Sequence, residues 1–154
     1  MKIALGSDHR GNQMAQALLT QLRAEGHEVT VLGECGGGMC DYPDVAWVVS
    51  NAVASGKAER GILICGTGIG MCIAANKLKG IRAALAQDEL SAQLSRTHND
   101  ANVLCLSADL IGQTLVKRIV DVWFRTGFDG GRHERRLGKI VKIENGLEIG
   151  RAHV

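Results

Sequence analysis

Aromatic side chains are scarce, with two Trp, two Phe and one Tyr making up 3% of the chain. Trp47, Trp123, Phe124, Phe128 and Tyr42 do not interleave with basic residues, so the stacking platform of a single-strand binder is lacking. Neither sign of charge dominates: 18 basic and 16 acidic residues leave a net charge of +2. That balance offers no extended basic face for nucleic acid and no polybasic membrane anchor. No apolar run approaches membrane-spanning length, and the opening Lys2-Ile3-Ala4-Leu5-Gly6 is too short for a secretion signal. The expectation is a cytoplasmic protein with neither nucleic acid nor membrane as partner. Internal repeats are also lacking.

Cysteine is present but unpaired in number, at positions 35, 40, 65, 72 and 105. Without an export signal, free thiols and no disulfides are expected. Cys35 and Cys40 flank Gly36-Gly37-Gly38-Met39, yet no second Cys or His pair lies nearby to complete a tetrahedral set. No metal is therefore expected.

What remains is a chain of 154 residues with 45% hydrophobic content, enough to bury the core of one domain. Apolar strands are predicted at Lys2–Ser7, Glu28–Leu32, Gly61–Cys65, Ile81–Ala86 and Val103–Leu106. Helices fall between them: Asn12–Ala24, a stretch opened by Asp41 and Pro43, a short one through Asn76, Asp88–His98 and Ile111–Arg125. A last helix runs from Glu134 to about Glu144 after the Gly130-Gly131 break. Strand and helix alternate, which predicts an α/β fold with a five-stranded parallel sheet, helices on both faces in three layers, and a C-terminal helix. Residues 148–154, Glu148-Ile149-Gly150-Arg151-Ala152-His153-Val154, resemble the translation of a sequencing adapter. They are expected to be non-native, leaving 1–147 as a single domain.

In such a sheet ligands sit beyond the carboxyl ends of the strands. Asp8-His9, Cys65-Gly66-Thr67 and Asp88 all follow predicted strands directly, so a common rim is expected to carry the chemistry. The run Cys65-Gly66-Thr67-Gly68-Ile69-Gly70 joins a buried strand to a helix, where backbone N–H groups and the helix dipole can face an anion. The same field is expected to favour a thiolate at Cys65. A free cysteine ending a core strand is more often plain packing, and taken alone that meaning is the commoner one. The spacing Gly-x-Gly-x-Gly departs from the dinucleotide fingerprint Gly-x-Gly-x-x-Gly, although Asp88 stands where an acidic ribose ligand could lie.

Asp8 beside His9 suits hydroxyl binding or proton transfer, with a helix cap by Asp8 or Asn12 as the equal alternative. His98-Asn99-Asp100 closes a helix, a position that favours histidine on its own account. Arg132 and Arg136, four apart, can share a helical face and hold a phosphate, although a basic run is more commonly a solvated face. Cys72, Cys105 and Met71 are expected to pack.

Six motifs occur in order: Gly6-Ser7-Asp8-His9, Asp41-Tyr42-Pro43, Ile64-Cys65-Gly66-Thr67-Gly68-Ile69-Gly70, Ala74-Ala75-Asn76-Lys77, Ser95-Arg96-x-His98-Asn99-Asp100-x-Asn102-Val103 and Gly130-Gly131-Arg132-His133. Together they resemble the ribose-5-phosphate isomerase B and galactose-6-phosphate isomerase family over nearly the whole chain, to about Glu144. The resemblance implies a Rossmann-like homodimer, with a tetramer left open. It implies two interface sites built from both chains, a sugar phosphate substrate and no cofactor. It implies Cys65 as catalytic base, Thr67 assisting at the reacting end and His98 opening the sugar ring. It also implies Asp8, His9 and Asn99 on the substrate, Gly66, Gly68, Ile69 and Gly70 around the enediolate, and Arg132 with Arg136 on the phosphate. Retention of Cys65 favours the ribose-phosphate branch, in which ribose 5-phosphate and ribulose 5-phosphate interconvert in the pentose phosphate pathway.

One position departs from the pattern. Ribose-phosphate members usually carry a phosphate-binding arginine where this chain has Asp109, and a carboxylate there is expected to repel a dianion by about 1–4 kcal/mol. Two rivals follow: isomerisation of another aldose or aldose phosphate such as allose 6-phosphate, and a non-catalytic nucleotide-binding module.

Overall fold

The computed structural model describes residues 1–33 and 38–150. Its elements in chain order are β1 (Lys2–Ser7), α1 (Asn12–Ala24), β2 (Glu28–Val31), α2 (Tyr42–Ala54), β3 (Arg60–Cys65), α3 (Ile69–Ala75), β4 (Ala83–Leu85), α4 (Glu89–Thr97), β5 (Val103–Ser107), α5 (Gln113–Arg125) and α6 (Arg132–Glu144). The five strands form one sheet in the order β2-β1-β3-β5-β4, and every pairing is parallel. The predicted three-layer α/β architecture with a C-terminal helix is what forms. Residues 34–37, which include Cys35, and residues 151–154 lie outside the described residues.

β3 is the centre of the molecule, buried from Gly61 to Cys65 and hydrogen-bonded to a strand on each side. Its side chains alternate between two cores, as the pleat of a strand requires. Ile62 and Ile64 pack with Leu5, Leu18, Leu104 and Trp123 beneath α1, α4 and α5. Leu63 and Cys65 pack with Val45, Val49, Met71 and Cys105 beneath α2 and α3. Both faces being covered, the strand reads as an uninterrupted apolar run.

Several boundaries move. β4 is confined to Ala83–Leu85 at the sheet edge, shorter than the apolar stretch Ile81–Ala86, because it pairs on one side alone. Asp41 stands at the α2 N-cap without a side-chain cap bond. α6 begins at Arg132, so both Arg132 and Arg136 belong to it. Cys40 is disulfide-bonded, which corrects the expectation of five free thiols.

The sheet reverses its winding between β1 and β3. α1 leaves β1 on one face and α3 leaves β3 on the other, so a crevice opens above their carboxyl ends. Gly11 allows α1 to start against that edge. A Cβ there would lie 2.6 Å from the Ile64 carbonyl oxygen, an atom of the central strand that cannot withdraw. Gly11→Ala is expected to destabilise the fold by about 1–3 kcal/mol through this overpacking. A urea-unfolding midpoint equal to that of the unsubstituted chain would refute the close contact.

Candidate active site

The crevice above β1 and β3 gathers the first group of residues. Asp8 follows β1 and is buried, its Oδ1 accepting N–H bonds from Arg10 at 2.9 Å and Gly11 at 3.1 Å. Asp8 thus ties the turn that leads into α1, while Gly11 occupies the helix N-cap. The Asp8 amide donates to the Ile64 carbonyl at 3.1 Å, which holds this turn against β3. His9 is exposed beside it.

Cys65 ends β3 at 5% exposure, on the floor of the glycine turn. The Gly68 amide donates to Cys65 Sγ at 3.1 Å and the Ile69 amide to Thr67 Oγ1 at 3.3 Å. Thr67 is exposed at the crest. The turn can close this tightly because Gly68 takes a φ of 76° and sits against Leu85 and the Leu106 carbonyl, where a Cβ would collide. Gly70 lies beneath the Tyr42 ring, which brings the Asp41-Tyr42-Pro43 motif onto the same rim. From β5, Ser107 Oγ donates to the Gly66 carbonyl at 2.6 Å and Ala108 N–H to the Cys65 carbonyl at 2.8 Å. The turn is therefore held from the β5 side.

Cys72 and Cys105 lie behind it, packed as expected into the core under α2 and α3. Cys72 Sγ donates to the Ala83 carbonyl at 3.5 Å. The neighbouring Cys105 thiol brings Cys72 down to about 7, against an opposing contribution from burial. The Cys72 thiol in turn pushes Cys105 well up, with burial acting in the same direction.

His98, Asn99, Arg132 and Arg136 are not on this rim. α4 runs back from the carboxyl edge, so its C-cap His98 arrives just before β5 begins, at the amino edge of the sheet. There the His98 ring stacks on His133 at 4.2 Å between centroids and 7° between planes. Asp129 N–H donates to the Thr97 carbonyl at 3.1 Å and Arg132 Nε to His133 Nε2 at 3.4 Å. Arg132 and Arg136 are exposed on the first turns of α6. Arg96 fixes the loop: buried under Trp123, it donates to Asp100 Oδ1 at 2.8 Å and to the Ala101 carbonyl at 2.6 Å. His133 is held below the ordinary histidine pKa by burial first and then by the cationic surroundings of His98, Arg132 and Arg136.

His133 belongs to the Gly130-Gly131-Arg132-His133 motif but is given no role at the site by the sequence. Its signal is its place next to Arg132, which matters once His98 packs on it. His98, Asp129 and His133 each offer a ligand atom, all within 4.8 Å of one another. Parallel stacked rings direct their in-plane lone pairs side by side rather than at one ion, so as they stand the pair suits ring stacking better than chelation. Asp88 is occupied by a capping box with Ser91, whose amide it accepts at 2.6 Å, and the Ser91 bonds lower its pKa. A dinucleotide reading loses its acidic ribose ligand by that use.

Asp109, expected to stand as a bare repulsive charge, is instead paired with Arg10, whose Nε donates to Asp109 Oδ2 at 2.8 Å. Nothing in the sequence marks a partnership between residues so far apart along the chain.

Comparison with known proteins bears on the family and the fold. Residues 3–140 match the family described as Ribose/Galactose Isomerase. Ribose-5-phosphate isomerase B of Escherichia coli (strain K12) is 46% identical over 143 residues, covering 93% of this chain and 96% of its own. The structure of ribose-5-phosphate isomerase B from Clostridium thermocellum superposes with a TM-score of 0.93 at 47% identity, covering 95% of this chain and 99% of that one. That of ribose-5-phosphate isomerase B from Mycoplasma genitalium with bound ribulose-5-phosphate gives 0.88 at 40% identity, covering 94% and 96%. A Cys65 turn in the β1/β3 crevice, a sequence match over residues 3–140 and a shared backbone lead to one assignment: the chain belongs to the ribose/galactose isomerase family.

Proposed function

We propose that the chain is an aldose–ketose isomerase that interconverts ribose 5-phosphate and ribulose 5-phosphate, with Cys65 as the base. The observation that carries this reading is the Cys65 sulfur fixed by the Gly68 amide at the crevice floor, beside Asp8, His9 and Thr67. His98 opens the sugar ring. Cys65 then removes the C2 proton of the aldose, the C2–H electron pair becomes the C1=C2 double bond, and the carbonyl oxygen takes up the charge as a cis-enediolate. Return of the proton to C1, with the O2 hydroxyl proton passed to O1, yields the ketose. Thr67 serves at the reacting oxygens, and the turn from Gly66 through Gly68 and Ile69 to Gly70 surrounds the charge. Asp8, His9 and Asn99 bind hydroxyls, and Arg132 with Arg136 hold the phosphate. Proton transfer of this kind needs no cofactor.

We further propose that the working unit is a homodimer with residues 1–147 as the isomerase unit of each chain. Cys65 and His98 lie at opposite edges of the sheet, about 16 Å apart for a strand the length of β3. A pentose phosphate is shorter than that, so one chain cannot present both groups to one molecule. A twofold arrangement that brings the amino edge of a second copy to the Cys65 crevice completes two equivalent sites. α6 supports it: His133 is its one buried residue, and Ile140, Val141 and Ile143 are exposed. An apolar helix face of this kind suits a partner copy. No helix among the described residues is long and apolar enough to cross a membrane.

Cys65→Ala is expected to lower turnover of ribose 5-phosphate by roughly 10²–10⁴ while the protein stays folded; unchanged turnover would remove Cys65 from its role. Shared sites give a second test. Cys65→Ala and His98→Asn chains, each inactive alone, are expected to recover about one quarter of the unsubstituted rate when unfolded together and refolded as a mixture. Half the dimers are then mixed, and each mixed dimer holds one intact site. No recovery in a mixture shown to contain mixed dimers would mean that each chain builds its site alone.

A further inference from the structure

Arg10 and Asp109 meet on the catalytic rim from opposite ends of the chain. Arg10 follows Asp8 and His9 beyond β1, and Asp109 stands two residues past the end of β5. Their side chains are 57% and 36% exposed and joined by the single Nε–Oδ2 bond at 2.8 Å. Both backbones are anchored to the site: the Arg10 amide donates to Asp8 Oδ1 at 2.9 Å, and the Asp109 amide to the Gly66 carbonyl at 3.0 Å. The pair lies directly over Gly66, where a Cβ would come within 2.8 Å of Asp109 Oδ2 and 3.2 Å of Arg10 Cδ and Nε. It therefore borders the turn that carries Cys65.

An ion pair this exposed adds little to stability, so the fold does not account for its position. Its geometry is informative instead. A guanidinium has five N–H groups in a fixed fork, and Asp109 takes the one on Nε. Among the described residues the two Nη groups of Arg10 have no acceptor, and they are left on the exposed side of a side chain held in place at its root. Such a fork matches the oxygens of a phosphate. Asp109 restrains the arginine and offsets part of its charge.

We propose that Arg10, oriented by Asp109, binds the phosphate of the substrate from the chain that supplies Cys65, facing Arg132 and Arg136 of the second copy. This rests on the sugar-phosphate reading above. Arg10 is then a substrate-binding residue and Asp109 a positioning residue that acts through it.

The test uses the full chain and two readouts: kcat and KM on ribose 5-phosphate, and direct calorimetric titration with inorganic phosphate. Arg10→Ala is expected to raise KM and weaken phosphate binding by about tenfold or more, with kcat changed by less than about threefold. Arg10→Lys is expected to restore part of the loss. Adding Asp109→Ala to Arg10→Ala is expected to lower KM again, because a bare carboxylate no longer faces the phosphate. The loss from Arg10→Ala is also expected to be smaller in an Asp109→Asn background than in the unsubstituted chain, which a merely structural role for Asp109 would not produce. Unchanged phosphate affinity in Arg10→Ala overturns the proposal, as does a fall in kcat alone. Equal losses with and without Asp109→Asn overturn the positioning role. Failure of the isomerase reading is distinguishable, since it appears as absent turnover in the unsubstituted protein, while the phosphate titration reads Arg10 regardless of turnover.

Discussion

β3 is hydrogen-bonded along both sides and covered on both faces, and that confinement sets where everything else can be. A strand so placed cannot slide or twist independently of its neighbours, because a shift of one residue would turn its side chains to the wrong cores. Cys65 is consequently fixed at the carboxyl edge, with Ser107 beside it in register and Ile64 beside Ser7. The glycine turn that follows has its carbonyls tied down by Ala108, Ser107 and Asp109 and its own amides aimed at Cys65 and Thr67. The proton-transfer role proposed for Cys65 calls for this kind of preorganisation, and a sheet edge supplies it more reliably than a free loop.

The same parallel topology forces the remaining functional groups away. Every helix that follows a strand carries the chain back to the opposite edge, so a residue at a strand end and one at a helix end are separated by the strand's length. Asp8, His9, Cys65 and Thr67 belong to the first kind. His98 and Asn99 follow α4, and Arg132 and Arg136 follow the return of α5, so they belong to the second. A chemistry that needs both kinds at once is naturally satisfied by two copies meeting edge to edge, each completing the other. In the proposed dimer the stacked His98 and His133 and the buried Arg96 would brace the donated half, as the tied turn would brace the half that receives it.

Charge is arranged with similar economy along the rim. Asp8 spends one oxygen on its own turn, Asp88 caps a helix, and Asp109 is matched by Arg10. The carboxylates that sequence alone offers as ligands are thus already partnered, and the cations left facing outward are arginines suited to a phosphate.

Much of this was legible along the chain. The alternation of apolar strands and amphipathic helices, the uninterrupted apolar run of β3 and the glycines after Cys65 follow from local periodicity and backbone sterics, which neighbouring residues alone determine. The six ordered motifs carried the family for the same reason, as each is a contiguous string. The shortened β4, the stacking of His98 on His133, the capping use of Asp88, the Cys40 disulfide and the pairing of Arg10 with Asp109 were not legible. Each depends on which distant segments the sheet order brings side by side. The sequence by itself determined the elements, the sulfur and its turn; only the tertiary structure decided which edge each functional group occupies, because an edge is a property of strand direction and sheet order and not of any local pattern.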